Sequence, residues 1–517
     1  MQRILGIAKK SITIRLLFHI VYSVAIASLP YIIKYMIDEV AGTNSVATSW
    51  KYIGLFAAMI GIGMAAQYIS QKYAWKAEYG IFMELRGKLF STIMNYPKSR
   101  FDINRIGSYT SKIENDVVSA AECMEYATEI VENMLSLIIY AVFIFLLNYK
   151  LAMIIYVVTV GTLFLPKLTA GRFSGYKNNL LHATGKYLAK LNDLMQGFYS
   201  MSGATKAGVI NRHHTELAEL EKSRLQYGTF KTFVNVFNGS VMYLIDIVSF
   251  AAIAIFLAKG TITVGVAAAT ITYIREFAAP LRGVIDSVSA MKSVRPAAEN
   301  VVNEAYEEIE KAPGVPNIAC IEMKHITKSY GDFTTAELSC TIQTGKKYLI
   351  QGQNGSGKST LLKMIAQIVT PDTGKILIDG VDLKERDISN TVLYIPQDNH
   401  IFAESFWDNV TWFDSLDRTK WDGVDRYFGE VMPNSLKEQS DCSRLSGGEK
   451  QQLGLLRTLM SEGNVILLDE PFAAMSPELE LKYTRTLLSM KDKTIVMISH
   501  NRNAEYTALF DEIITIS

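Results

Sequence analysis

Five short segments in the last third of the chain carry residues able to do phosphoryl chemistry: GQNGSGKS at 352–359, Gln397, LSGGE at 445–449, VILLDE at 465–470, and His500. In the first, Gly352, Gly355 and Gly357 let backbone N–H groups turn inward on phosphate oxygens, and Asn354, Ser356 and Thr360 complete the loop. Lys358 brings a point charge to the β/γ oxygens, and the Ser359 hydroxyl is a ligand for Mg²⁺. In VILLDE, four apolar residues of a buried strand deliver two carboxylates. Asp469 belongs on the Mg²⁺, and Glu470 orients and polarises the attacking water, because phosphoryl transfer needs positioning and charge neutralisation more than covalent help. His500 follows the apolar run TIVMIS and is expected beside the γ-phosphate.

LSGGE discriminates further. Ser446 can N-cap the helix that continues through Gln452, Leu455 and Leu459, and Glu449 three residues later completes a capping box. Gly447 and Gly448 leave bare amides at that helix start, which suits an anion. The chain's own phosphate loop already has one helix on its phosphates, so the expected recipient is ATP held by a second copy.

The elements that position these residues alternate as in a soluble α/β domain. Short β-rich runs (IEMKHITKSY, KYLIQG, KILIDG, VILLDE, TIVMIS) are interspersed with helical segments such as STLLKMIAQI. This predicts a largely parallel sheet covered by helices, with the chemistry at the carboxyl ends of strands. The domain starts at Ile318, after a Pro/Gly linker, KAPGVPN, at 311–317.

Residues 1–310 differ in kind. Apolar windows near 12–38, 52–75, 133–148, 151–170, 232–258 and 262–285 give six candidate membrane helices. Basic residues gather after the second window (Arg86, Lys88, Lys98, Arg100, Arg105, Lys112) and after the fourth (Arg172, Lys177, Lys186, Lys190, Lys206, Arg212, Lys222, Arg224), whereas 41–49 has none. The positive-inside rule then puts both termini, the two long connections and the ATPase domain in the cytoplasm of a multi-pass cell-membrane protein. Short helices at Ile106–Asp116 and Ser202–Val209 are expected to transmit motion between the two domains. The predicted fold class is an all-α six-helix transmembrane domain followed by an α/β P-loop ATPase domain with a helical subdomain.

Glu122, Glu125, Glu129 and Glu132 share one helix face, which is either a solvated surface or an entrance attracting a basic cargo. Asp246, Arg275 and Glu276 lie inside predicted spans, as structural ion pairs or as contacts lining a cavity. A formal net charge of +1 over 517 residues gives no footprint for bulk nucleic-acid binding. Cys123, Cys320, Cys340 and Cys442 have no paired spacing and are expected to be reduced.

With these motifs in this order the chain resembles the ATP-binding cassette superfamily, and six spans before one cassette resemble a bacterial half-transporter of the exporter type. NYPKSRFD at 95–102 with Asn115 and Asp116, NYKLAMI at 148–154 and the GTITVG segment from Gly260 are similar to membrane-domain stretches of that family. The resemblance implies that Tyr330 stacks on adenine and that Gln397 is the switch residue linking Mg²⁺ to the membrane helices. Ser476 departs from the family's usual Asp, KEQSDCSR only faintly resembles the exporter cross-linking segment, and the stretch from Gln397 to Ser446 is short. The expected function is ATP-driven export of an amphipathic or hydrophobic molecule by a dimer of half-transporters, a homodimer first and a heterodimer as the alternative. A small peptide, modified or antimicrobial, leads as cargo and would be exported without leader removal by this chain. Lipids or drugs are the alternative, and an ATP-gated channel or regulator is the rival from a different class.

Overall fold

A computed structural model describes residues 2–43, 46–103, 106–162, 167–310, 312–331 and 333–516. The first part is helical throughout: α1 Gln2–Thr43, α2 Val46–Met94, α3 Lys98–Ile103, α4 Ile106–Ser111 with a π-helical turn at Lys112–Asp116, α5 Val117–Leu147, α6 Tyr149–Thr162, α7 Lys167–Gln196, α8 Lys206–Ala258 and α9 Val264–Ala305. The six apolar windows fall on helix to within a residue or two at their ends. Part of the fourth, 163–166, lies outside the described residues, as do Arg105 and the linker's Lys311. Among the described residues, Arg3–Val40, Ser49–Met94 and Ile106–Leu147 are long and apolar enough by themselves to cross a bilayer, and Tyr149–Thr159 and Ile245–Ala258 are shorter apolar helices.

The chain divides into two compact units, Met1–Lys88 with Lys112–Ala305, and Leu89–Ser111 with Tyr306–Ser517. In the helical unit α1, α5 and α9 pack on one another. Two glycines permit the contact: a Cβ on Gly265 would stand 2.5 Å from the Lys34 carbonyl oxygen and the Asp38 carboxylate, and one on Gly283 would stand 2.6 Å from Asn133. Close backbone approach of this kind is how apolar helices associate when lipid removes the hydrophobic incentive. Asp38 also closes the start of α9, accepting from the Gly265 N–H (3.0 Å) and the Thr263 hydroxyl (2.9 Å).

Most of the acidic face of α5 is engaged by neighbouring helices rather than solvated. Arg15 of α1, 2% exposed, donates to Glu132 at 2.7 and 2.9 Å and to Glu125 at 2.5 and 2.8 Å. Ser287 of α9 donates to Glu129 at 2.8 Å. Glu122 alone of the four is exposed. Glu125, Glu129 and Glu132 form the polar seam of a helix bundle, engaged by helices that the sequence separates by more than a hundred residues.

The second unit holds β1 Cys320–Thr327, β2 Ser329–Tyr330, β3 Phe333–Thr334, β4 Leu338–Gln343, β5 Lys347–Gly352, α10 Lys358–Ile365, β6 Thr373–Ile378, β7 Val381–Asp382, β8 Val392–Ile395, α11 Phe406–Thr411, α12 Trp421–Phe428, α13 Asn434–Lys437, α14 Gly447–Leu459, β9 Val465–Asp469, α15 Pro477–Leu488, β10 Thr494–Ile498, α16 Ala504–Thr507 and β11 Glu512–Ile516. Among the described residues, a five-stranded parallel sheet runs β11-β5-β10-β9-β8, and an antiparallel sheet runs β4-β1-β6-β7. Strands β9 and β10 are buried along their whole length, as apolar runs in a sheet covered on both faces must be. The linker is docked, not free: Val315 N–H donates to the Asp387 carbonyl at 3.0 Å, and the Asp387 N–H to the Pro313 carbonyl at 3.0 Å. All four cysteines are free thiols.

Of the two expected contact helices, Ile106–Asp116 is helical, as α4 and the π-helical turn, whereas Ser202–Val209 is not a helix of its own. Ser202–Thr205 is a turn, held by Ser202 N–H donating to Thr205 Oγ1 (3.0 Å), and Lys206–Val209 is the first turn of the long helix α8. On the first connection the helix α3 precedes α4, and both belong to the second unit. Arg100 of α3 pairs with Glu307 at 2.8 Å through both terminal nitrogens, and Phe101 stacks on Tyr109 of α4 at 4.9 Å.

Candidate functional site

The register of the parallel sheet assembles the site. Ile498 of β10 lies opposite both Ile350 of β5 and Asp469 of β9, and Ile395 of β8 lies opposite Leu468. The strands therefore end together, so that the loop after Gly352, the pair Asp469 and Glu470, His500 and Gln397 emerge at one carboxyl edge. A cleft of about 630 Å³ opens there, lined by Asn354, Gly355, Gly357, Lys358, Ser359, Thr360, Gln397, Glu470 and His500.

Backbone conformation holds the loop in place. Gly355 (φ +82°) and Gly357 (φ +93°) occupy the left-handed region that side chains resist, and a Cβ on Gly352 would meet the Ile516 carbonyl oxygen at 2.3 Å. Lys358 Nζ donates to the carbonyls of Gly352 (3.0 Å) and Gln353 (2.7 Å), which keeps the ammonium over the cradle at the head of α10. The Ser356 hydroxyl is buried and has no partner among the described residues. An orphaned hydroxyl, a lysine and a glycine loop leading into a helix start form a set of donors that suits phosphate oxygens.

The carboxylates are held separately. Ser359 Oγ donates to Asp469 Oδ1 at 2.9 Å, and the Tyr394 phenol donates to Asp469 Oδ2 at 3.2 Å. Burial pushes the Asp469 carboxyl above its ordinary range, against the pull of these two hydrogen bonds. Burial, followed by the Asp469 charge, pushes the Tyr394 phenol up as well. A buried carboxylate beside a serine hydroxyl, with no cationic side chain bonded to it among the described residues, is a hard-oxygen donor set that fits Mg²⁺. Glu470, with the left-handed φ of +48°, turns its carboxylate away from the strand axis. There it accepts from Gln397 Nε2 (3.0 Å) and from His500 Nε2–H (2.6 Å).

Ser446, Gly447, Gly448 and Glu449 do not line this cleft. They form the start of α14, where Ser446 N–H donates to Glu449 Oε2 (2.9 Å) and Glu449 N–H to Ser446 Oγ (3.4 Å), the reciprocal capping box. Hydrogen bonds from the Ser446 side chain and backbone hold the Glu449 carboxyl below its usual range. Tyr330 also stands apart from the cleft lining, in a short hairpin with its ring 49% exposed. Ser476, the departure from the family pattern, N-caps α15 by accepting from the Leu479 N–H at 3.4 Å. A serine does there what an aspartate does at a helix start.

Two family models match the chain, one described as ABC transporter over residues 335–473 and one as ABC transporter transmembrane region over residues 12–281. The chain belongs to the ABC transporters. The transporter is 25% identical over 510 residues to an "ATP-dependent lipid A-core flippase" of Burkholderia pseudomallei (strain 1710b), covering 92% of this chain and 83% of that protein. It is 24% identical over 539 residues to "Uncharacterized ABC transporter ATP-binding protein YfiC" of Bacillus subtilis (strain 168), covering 98% and 88%. In fold it is similar to a bacterial Atm1-family ABC exporter solved with ATP bound, at a TM-score of 0.80 and 17% identity over 100% of this chain and 94% of that one. The transporter is a membrane protein that binds ATP and couples its hydrolysis to transport.

The helical unit of the transporter has a pocket of its own, about 280 Å³, between α8 and α9. Ile245, Ile274, Ala278 and Ala279 give it apolar walls, while Asp246, Arg275 and Arg282 supply charge. Among the described residues no ion pair joins Asp246 to Arg275, and Arg282 has only the exposed Asp286 at 3.6 Å. Of the two readings of Asp246 and Arg275, the structure favours pocket lining.

Proposed function

We propose that this ABC transporter exports an amphiphile of the lipid class, working as a pair of half-transporters with both termini and the ATPase domain in the cytoplasm. The observation that carries the cargo reading is the distribution of unsatisfied charge. Arg15 and Ser287 engage three of the four glutamates that would draw a basic peptide. Arg275 and Arg282 line a pocket whose other walls include the apolar Ile245, Ile274, Ala278 and Ala279. Guanidinium groups beside apolar walls suit a phosphate or other anionic head group, Asp246 suits a donor on the same head group, and the isoleucines and alanines suit an acyl chain. The relatives named as lipid A-core flippases support the same class.

In the motor, the inward amides of 352–357 and Lys358 bind the β/γ-phosphates, and the Tyr330 ring stacks on adenine. Ser359, Asp469 and Gln397 would hold Mg²⁺, which when bound supplies charge neutralisation at the β/γ-phosphates. Glu470 accepts a proton from the attacking water, held in place by His500 and Gln397. Ser446 with the amides of Gly447 and Gly448 closes on ATP held by the second copy, so two equivalent sites form only when the copies meet.

The test is flipping of fluorescent phosphatidylethanolamine and phosphatidylglycerol in proteoliposomes holding the purified protein. Head-group translocation should require ATP, stop in Glu470→Gln, and fall in Arg275→Ala/Arg282→Ala while basal ATPase persists. ATPase stimulation by cationic peptides with no response to either lipid would overturn the cargo reading and leave the motor standing.

A further inference from the structure

We propose that Tyr394 is the positioning residue of the Asp469 carboxylate, and that strand β8 is thereby the element that sets both acidic groups of the site. In the parallel register Tyr394 lies opposite Leu467. Asp469 is two residues further along β9, so it projects from the same face, within diagonal reach of a long side chain. The phenol uses that reach and donates to Asp469 Oδ2 at 3.2 Å. Oδ1 already accepts from Ser359 at 2.9 Å, so each oxygen of a carboxylate only 4% exposed has one hydroxyl, from opposite sides. Three residues after Tyr394, at the exit of the same strand, Gln397 donates to Glu470 at 3.0 Å. One strand at the edge of the sheet therefore touches both neighbouring acids through two side chains.

That strand has charged company from the contact segment. Asp102 of α3 acts electrostatically on Tyr394, and Asp387, five residues before β8, acts on Lys98. Segment Leu89–Ser111, which holds the end of α2 together with α3 and α4, belongs to the same compact unit as β8. A displacement of β8 moves the partners of Asp469 and Glu470 together, whereas a displacement of α10 moves only Ser359.

The inference rests on the metal-holding role proposed for Asp469, and the test separates the two. Mn²⁺ binding is followed by electron paramagnetic resonance in the full-length Glu470→Gln protein with saturating ATP, so that no turnover occurs. Tyr394→Phe should weaken Mn²⁺ binding by roughly tenfold, the effect of losing one hydrogen bond to a charged group. ATP binding without metal and the melting temperature without metal should not change. A site-specific 3-fluorotyrosine at 394, a stronger donor of nearly the same shape, should tighten Mn²⁺ binding and keeps the test available if the phenylalanine variant does not fold. No Mn²⁺ bound by the Glu470→Gln parent would refute the metal role itself. Parent-like Mn²⁺ binding in Tyr394→Phe, or an equal loss of metal-free ATP binding, would refute only the role of Tyr394.

Discussion

Replacing Arg15 by Met should destabilise the helical unit by about 3–4 kcal/mol at neutral pH. Arg15 gives four hydrogen bonds to two carboxylates and is 2% exposed. Its removal leaves both acids without a counter-charge, but not equally: the Glu125 side chain is 36% exposed and can turn to water, whereas that of Glu132 is 10% exposed. Breaking a buried pair from one side typically costs about 3–5 kcal/mol. Equilibrium unfolding by SDS in mixed micelles, read by helical circular dichroism, measures the difference. Arg15→Met/Glu132→Gln should regain most of the loss, since no charge then remains in the driest position. A single variant within 1 kcal/mol of the parent at pH 7, or a double variant no better than the single, would refute the account of this seam.

Other expectations follow from single positions. Gly265→Ala should cost about 1–3 kcal/mol, because the new methyl meets a backbone carbonyl and the Asp38 carboxylate, neither able to retreat freely; the same unfolding experiment checks it. Glu470→Gln should lower ATP turnover by about 10²–10⁴-fold while nucleotide binding persists, measured by phosphate release and filter binding. Ser446→Ala removes a reciprocal cap and should cost about 1 kcal/mol of ATPase-unit stability, while also suppressing turnover if the serine meets the second copy's nucleotide. Burial pushes the Cys340 thiol up from 9.0 to about 11, which should slow its alkylation near pH 8 by about 100-fold relative to the urea-unfolded chain, as mass spectrometry of labelled peptides would show.

Much of the motor was legible because its chemistry is local. Strand, glycine loop and helix start at 347–365 are contiguous, and a capping box needs only Ser446 and Glu449 at their spacing. Apolar windows likewise announce membrane helices one at a time. The contact helices were harder: small residues suggested one at Ser202–Val209, where a turn leads into α8, and the short helix Lys98–Ile103 was missed in a stretch noted for its basic residues and its family likeness. Ser476 looked like a defect in sequence and is a helix cap in the fold.

By itself the sequence determined what depends on neighbours along the chain: the phosphate loop, the paired acids at the end of a buried strand, the capped glycines and the lengths of the apolar helices. Only tertiary structure decided what depends on neighbours in space. The glutamate face of α5 found Arg15 across more than a hundred residues, and Tyr394 found Asp469 through a parallel register that no local pattern encodes. Charges and hydroxyls act over a few ångströms, so their meaning is fixed only when packing has chosen which of them meet.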